Sequence, residues 1–197
     1  MNYNTKKVAV IGGGSWATAL VKLFANNTET VFWWMRNENA INHLWTFKHN
    51  PNYLQDVEFD LTKINLSSNL EEIIQQADII VLATPAAFLS ATFADFPVEL
   101  LRDKIVFSAV KGIIPEFHAI PARFIHKTFG TKYENIGIIC GPCHAEEVAL
   151  ERLSYLTIGC ASIDIAENMA SLLSCRYIRT STTDDLFGTE LSAVLKN

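Results

Sequence analysis

The residues best placed for chemistry near the start of the sequence are three small ones at fixed spacing: Gly12, Gly14 and Ala17. They match G-x-G-x-x-A, an accepted form of the dinucleotide-binding pattern, in which the residues allow a tight turn, a close approach of pyrophosphate to the main chain, and close helix packing. The following helix would offer free N–H groups and the positive end of its dipole to phosphate. The alternative is a glycine-rich turn without special function. A strand pattern before the turn and a helix pattern after it favour nucleotide binding.

Three further side chains lie just beyond predicted strand ends: Arg36, Phe88 and Lys111. The carboxyl ends of parallel strands line the ligand crevice in this kind of fold. Arg36 suits a 2′-phosphate, so the site would tolerate NADP, although Arg36 could instead be a solvated charge in a loop. The nearby Glu38 keeps NAD as an alternative cofactor. Phe88 would either stack on a cofactor ring or fill the core. Lys111 would contact phosphate or substrate, unless it is an ordinary surface lysine.

The segment Cys140-Gly141-Pro142-Cys143 has the C-G-P-C pattern of thioredoxin-like redox sites. A zinc site with the adjacent His144 is a second interpretation. No second C-x-x-C or H-x-x-x-H pattern follows to complete four metal ligands. A thioredoxin-like interpretation also leaves the glycine turn unexplained. Reduced thiols and no metal site are therefore favoured.

Alternating strand and helix patterns predict the elements that position these residues. They indicate an α/β fold, Rossmann-like and doubly wound, with a mostly parallel sheet and helices on both faces. The predicted strands cover residues 7–11, 30–34, 64–66, 78–83, 104–108, 135–140, 154–159 and 176–180. The predicted helices cover residues 15–27, 39–48, 70–76, 120–129, 145–150, 165–173 and 184–197.

Composition excludes several classes of protein. The 197 residues are 49% apolar and 19% charged, which is typical of a globular chain. The formal charge of −5 disfavours a general nucleic-acid binder, which is usually basic. Apolar runs stay short of the ~18–20 residues that a membrane helix needs. We therefore expect a cytoplasmic protein without a membrane span.

Five motifs occur in one order, and together they resemble bacterial NAD(P)-dependent glycerol-3-phosphate dehydrogenase. The resemblance runs from about Lys7 to Asn197, and its specificity lies in the order of the motifs. They are Gly12–Ala17 with Thr18-Ala19-Leu20, then Thr84-Pro85, Val110-Lys111-Gly112, Gly141-Pro142 with Ala145, Glu147, Val148 and Ala149, and Glu190 with Leu195-Lys196-Asn197.

The resemblance implies a role for each matching residue. The implied cofactor contacts are Gly12, Gly14, Ser15, Trp16, Arg36, Phe88, Lys111 and Ala145. The implied substrate contacts are Lys111, Gly141, Cys143, Lys196 and Asn197. Lys196 matches the catalytic lysine, and Lys111 would assist it by stabilising the oxyanion and lowering the pKa of that lysine. Cys143 departs from the family, which has Ser or Thr there, and a thiol donates a weaker hydrogen bond.

The resemblance also implies an activity and a domain division. The enzyme would interconvert sn-glycerol 3-phosphate and dihydroxyacetone phosphate with NAD or NADP, feeding glycerophospholipid synthesis, and its full-length form would be a homodimer. Residues 1–183 would form the cofactor domain, and residues 184–197 would start the first helix of a helical substrate domain that this sequence lacks. We therefore expect this chain to be inactive or weakly active. The alternatives are another Rossmann dehydrogenase, for a small phosphorylated or hydroxyacid substrate, and a non-catalytic dinucleotide-binding module.

Overall fold

The computed structural model describes residues 6–196, and for Lys196 the main chain only. The described residues form one sheet in the order β3-β2-β1-β4-β5-β6-β7-β8. Strands β1 to β6 are parallel, β7 runs antiparallel to β6, and β8 is parallel to β7. The strands are β1 (Val8–Ile11), β2 (Val31–Trp34), β3 (Ile64–Ser67), β4 (Ile79–Leu82), β5 (Ile105–Ser108), β6 (Ile136–Cys140), β7 (Ser154–Cys160) and β8 (Ile178–Thr183).

Helices cover both faces of this sheet. The described part of the chain contains α1 (Ser15–Asn27), α2 (Glu38–Phe47), α3 (Leu70–Gln76), α4 (Ala86–Thr92), α5 (Pro121–Phe129), α6 (Ala145–Ala149), α7 (Ile163–Leu173) and α8 (Leu186–Lys196). Helices α1, α2, α6 and α7 contribute to one core, and α3, α4, α5 and α8 to the other. None of the helices within residues 6–196 is both long enough and apolar enough to span a membrane.

The short apolar strands separate the two cores because successive side chains point to opposite faces. In β1, Val8 and Val10 belong to the core with α1, whereas Ala9 and Ile11 belong to the core with α3 and α5. All four side chains are fully buried. A strand buried on both faces must be apolar at every position, and this explains the uninterrupted run that the sequence shows.

Local residues fix where several helices begin and end. The side chain of Asn37 accepts hydrogen bonds from the main-chain N–H groups of Asn39 and Ala40 at the start of α2. Pro121 occupies the first turn of α5, where its missing N–H costs nothing, and Gly130 ends that helix in the left-handed conformation. Each such cap stabilises a helix by about 1 kcal/mol.

The predicted fold class is confirmed, with three differences in detail. Helix α4 was not predicted, because seven residues directly after Pro85 carry too little periodicity. The antiparallel direction of β7 is a tertiary feature that its residues do not encode. Strand β8 begins at Ile178 rather than at residue 176 and continues to Thr183, because β-branched threonines extend a strand whose side chains are largely exposed or half-buried.

Candidate functional site

The candidate site lies where the strand order changes direction, between β1 and β4. At such a point the loops after neighbouring parallel strands separate and leave a crevice. Gly12 follows β1 with a φ of 142°, a conformation that favours glycine. A Cβ on Gly12 would lie 2.8 Å from the main-chain carbon and oxygen of Ala83, at the end of β4. Gly12 is therefore required by close packing as well as by the turn.

Gly14 has a different environment from Gly12. It is the residue that precedes α1, with a φ of −82° that any residue can adopt. A Cβ built on Gly14 would have no atom within 4 Å. The space above Gly14 is therefore open toward solvent, where a ligand can approach the main chain.

Exchanging these two glycines for alanine should separate folding from binding. We expect Gly12→Ala to lower the free energy of unfolding by about 2 kcal/mol, because the added carbon overlaps main-chain atoms in a strained conformation. Gly14→Ala should cost only about 0.5–1 kcal/mol, the ordinary loss on replacing a helix-capping glycine. Urea unfolding of both variants measures the difference. Equal losses would contradict the assignment of Gly12 as the packing glycine.

Each main-chain carbonyl group of the glycine loop, residues 12–14, accepts a hydrogen bond from a side chain. The indole Nε1 of Trp33 donates to the Gly12 carbonyl at 2.7 Å. The amide Nδ2 of Asn50 donates to the Gly13 carbonyl at 3.2 Å, and the hydroxyl of Thr18 donates to the Gly14 carbonyl at 2.9 Å. No side chain of a described residue caps the N-terminus of α1. The first-turn N–H groups of α1 are therefore available to an anion.

A cleft of about 290 Å³ opens beside this loop, and we name it the glycine-loop cleft. Its walls include Gly12, Gly14, Arg36, Tyr53 and Phe88. Phe88 is 54% exposed, so of the two predicted roles the core-filling one is wrong. Arg36 is also exposed. With Trp34 also in its lining, the cleft has one cation and three aromatic residues next to the loop.

Glu38, the acidic residue near Arg36 in the sequence, is hydrogen-bonded to another segment of the chain. Its carboxylate accepts a hydrogen bond of 3.0 Å from the hydroxyl of Ser68.

A second cleft of about 390 Å³, the lysine cleft, includes Trp16 from the first turn of α1 in its lining. Trp16, Lys111, Gly141 and Cys143 line it together with residues of β7 and α8. The Nζ atom of Lys111 lies 5.8 Å from the centre of the Trp16 ring, within the range of a cation–π contact. Gly14 lines the first cleft and Trp16, two residues further on, lines the second, so both clefts border the start of α1.

The remaining predicted site residues lie elsewhere. Ser15 lines a third cleft, of about 550 Å³, against residues 52–57 and α6. Ala145 is 7% exposed and its side chain belongs to the core beside α1. The side chain of Lys196 and the whole of Asn197 lie outside the described residues.

The C-G-P-C segment lacks the electrostatics of a redox site. The four cysteines form no disulfide bond within the described residues. Burial raises the pKa of the Cys140 thiol, with smaller contributions from Cys143 and Glu190. Reactive cysteines of this motif have lowered pKa values, so the trend is opposite. Gly141 is required by packing, because a Cβ there would lie 2.2 Å from the carbonyl oxygen of Tyr155.

Several residues of the site had no role assigned from the sequence, although Thr18 and Glu190 belong to the motifs that carry the family resemblance. Asn50, Trp33 and Thr18 hold the loop through contacts that no local pattern announces. Glu190 is 1% exposed, and both its carboxylate oxygens lie 3.2 Å from the main-chain N of Ala122, which donates to them at the start of α5. Burial raises the pKa of Glu190 to about 7, against a smaller lowering by that hydrogen bond.

Comparison with known proteins is consistent with this geometry. A family model described as NAD-dependent glycerol-3-phosphate dehydrogenase N-terminus matches residues 7–166. Proteins named glycerol-3-phosphate dehydrogenase [NAD(P)+] from Lysinibacillus sphaericus and Limosilactobacillus reuteri are 32% and 28% identical over 98% of this chain. The alignments cover 57% and 58% of those proteins, so the chain spans somewhat over half their length.

Solved structures show the same fold. Glycerol-3-phosphate dehydrogenase from Plasmodium falciparum superposes with a TM-score of 0.88 at 22% identity, over 97% of this chain and 56% of that one. The enzyme from Coxiella burnetii gives 0.84 at 18% identity, over 96% and 57%. An imine reductase from Myxococcus stipitatus in complex with NAD+ gives a lower value of 0.67 at 15% identity, over 98% and 60%.

Proposed function

Because the chain belongs to the family of NAD-dependent glycerol-3-phosphate dehydrogenase N-terminal domains, we propose that it binds NAD or NADP across the glycine-loop cleft and the lysine cleft. The observation that carries this proposal is the start of α1. No side chain within residues 6–196 caps its first turn, and its start borders both a cleft with aromatic walls and a cleft with a lysine. A pyrophosphate at this turn would direct the two halves of a dinucleotide into the two clefts.

The residues around the loop fit such a cofactor. Because the loop carbonyls are hydrogen-bonded to side chains, the first-turn N–H groups of α1 would be free to bind a phosphate. The open space above Gly14 would give that phosphate room. In the glycine-loop cleft, Phe88 would stack on the adenine ring and Arg36 would bind the ribose or its 2′-phosphate. Ser15 and Trp16 would contact the phosphates. Ala145 would contact the cofactor through its main chain, because its side chain is buried.

For the whole protein we propose the interconversion of dihydroxyacetone phosphate and sn-glycerol 3-phosphate. When bound, the nicotinamide supplies the hydride in reduction and accepts it in oxidation. In reduction, Lys196 would donate a proton to the carbonyl oxygen of the substrate, and in the reverse direction it would accept that proton. Lys111 would stabilise the developing oxyanion. Gly141, Cys143 and Asn197 would hold the substrate.

Residues 184–197 remain, by this proposal, the start of a helical substrate domain. Helix α8 also contributes to the site, since Thr189 and Ser192 line the lysine cleft. The resemblance to the family supports a homodimer in the full-length form and a cytoplasmic role in glycerophospholipid synthesis. The net charge of −5 supports small molecules rather than nucleic acid as partners.

Titration of the chain with NADPH and NADH, followed by nicotinamide fluorescence, tests the cofactor proposal. We expect both to bind, and Arg36→Ala to weaken NADPH about tenfold more than NADH, since a charged hydrogen bond to a 2′-phosphate is worth about 1.5–3 kcal/mol. Arg179→Ala on β8 is the matched control, because that arginine is exposed and lies at the far edge of the sheet. Equal losses for both dinucleotides would overturn the role of Arg36. Absence of binding to either would overturn the cofactor proposal for this chain.

A further inference from the structure

Asn50 is a polar residue that is completely buried next to the glycine loop. It follows α2 in sequence and reaches α1 from a distance of 32 residues along the chain. A buried amide costs stability unless its hydrogen-bonding groups are satisfied. Its position must therefore be explained by the partners that it holds.

Both ends of the Asn50 amide are hydrogen-bonded. The Nδ2 group donates to the Gly13 carbonyl at 3.2 Å and to the Thr18 hydroxyl at 2.9 Å. The Thr18 hydroxyl in turn donates to the Gly14 carbonyl at 2.9 Å. Asn50 thus acts directly or through one hydroxyl on two of the three loop carbonyls.

The Oδ1 atom of Asn50 faces the opposite segment of the chain. It accepts a hydrogen bond of 3.0 Å from the main-chain N–H of Asn52. Asn52 and the following Tyr53 line the glycine-loop cleft, as the loop itself does. One side chain therefore holds two of the segments that form this cleft.

We propose that Asn50 is the positioning residue of the phosphate-binding loop, and this inference rests on the dinucleotide binding proposed above. By donating to the Gly13 carbonyl, Asn50 turns that carbonyl inward, so that the neighbouring N–H groups face the cleft. By accepting from Asn52 it keeps Tyr53 beside the same cleft. Asn50 contacts no part of the ligand itself, and its effect on binding is transmitted through the loop.

The variant Asn50→Asp keeps the shape of the side chain and replaces its donating NH₂ group by a titratable oxygen. An ionised aspartate cannot donate to Gly13 or Thr18, and it places a negative charge beside the phosphate site. A protonated aspartic acid recovers one O–H donor and loses the charge. Burial raises the pKa of such a carboxyl, so that lowering the pH from about 8 to about 6 should restore a donor.

Isothermal titration calorimetry with NAD+ and NADP+ measures this effect in the folded chain. At about pH 8 we expect Asn50→Asp to raise the dissociation constant at least about 30-fold, and at about pH 6 to recover at least about fivefold. The wild-type constants over the same range give the contribution of all other titrating groups, Glu190 and the 2′-phosphate of NADP+ among them, and the recovery in Asn50→Asp is measured relative to them, because an amide does not titrate there. Because a buried carboxylate also lowers the stability of the variant at high pH, the folded fraction is measured at each pH and the dissociation constants are corrected for it.

Thr28→Val is the matched control. The Thr28 hydroxyl is a buried donor to the carbonyl of Phe24, at the far end of the same helix α1. Its loss should reduce stability and leave the dissociation constant unchanged. Thr18→Val provides a second variant in case Asn50→Asp does not fold. It should weaken binding about tenfold, because it removes a partner of Asn50 and one of two hydrogen bonds to the Gly14 carbonyl, leaving the one from the main-chain N–H of Thr18.

The possible results separate the two proposals. Wild-type affinity in both Asn50→Asp and Thr18→Val would overturn the positioning role alone, as would a loss in Asn50→Asp of equal size at both pH values. A wild-type chain that binds neither NAD+ nor NADP+ would overturn the proposed cofactor binding and this inference with it.

Discussion

Replacing Glu190 by glutamine is expected to raise the free energy of unfolding by about 3 kcal/mol at pH 8 and to leave it nearly unchanged at pH 4. Glu190 lies on α8 and is 1% exposed. Its carboxylate accepts from the main-chain N–H of Ala122 at the start of α5, at 3.2 Å from each oxygen. Glutamine retains an acceptor for this hydrogen bond and removes the buried negative charge.

The sign of the effect follows from the direction of the pKa shift. Burial raises the pKa of Glu190 from its ordinary value of 4.5 to about 7. Below about pH 4.5, Glu190 is protonated in both the folded and the unfolded chain, and the buried carboxyl group then costs the wild type least stability. As pH rises between the two values, only the unfolded chain ionises, and wild-type stability falls. Above about 7 the loss is complete, and a shift of this size corresponds to about 3 kcal/mol.

Thermal unfolding of wild type and variant across this pH range measures the effect. At pH 8 we expect the variant to melt about 6–12 °C higher, since a chain of this size gains about 2–4 °C per kcal/mol. Glu167→Gln is the matched control, because Glu167 lies exposed on α7 and its replacement should leave the melting temperature unchanged at every pH. A variant less stable than wild type at pH 8 would contradict the prediction and would indicate that the ionised carboxylate stabilises the junction of α5 and α8.

Local signals in the sequence were sufficient to predict the fold and the centre of the site. Strands β1 and β4 are apolar at every position because both faces are buried, and such runs are visible without a structure. The roles proposed for Gly12 and Gly14 were predicted from their spacing, because the turn, the strand before it and the helix after it are contiguous in sequence. The difference in packing between Gly12 and Gly14 could not be predicted from the sequence, because the close contact of Gly12 is with Ala83, which is distant in the chain.

The parts that could not be predicted depend on contacts between distant segments. Asn50 appears in the sequence as a turn residue, and its burial against Thr18 follows only from how the chain after α2 returns to α1. Glu190 belongs to the last motif of the family resemblance, but its burial follows only from the packing of distant segments. That burial raises its pKa, against a smaller lowering by the hydrogen bond from Ala122, 68 residues away. Phe88 was undecided between core and surface, because a single aromatic residue in a short helix does not indicate which face is buried.

Replacing Lys111 by methionine should nearly abolish the reaction proposed for the whole protein. In the lysine cleft, the Lys111 ammonium lies 5.8 Å from the centre of the Trp16 ring. Among the described residues that line this cleft, Lys111 is the one with a positive charge, and Gly141 and Cys143 line the same cleft. Methionine retains an unbranched apolar stem against Trp16 but loses the positive charge that would face a phosphorylated substrate and its oxyanion.

The expected result is a fall in kcat/KM for dihydroxyacetone phosphate of about 10²–10³, with the Kd for NADPH changed only about threefold, because removing one electrostatic stabiliser acts mainly on the transition state. The assay uses the form of the protein that extends to the length of its relatives and follows NADPH absorbance. Lys127→Met, at an exposed lysine on α5, is the matched control and should retain wild-type turnover. Turnover within about threefold of wild type in Lys111→Met would remove Lys111 from the proposed machinery. The charge would then have to come from Lys196 or from residues beyond Asn197, so that the lysine cleft would serve mainly to hold the nicotinamide half of the cofactor.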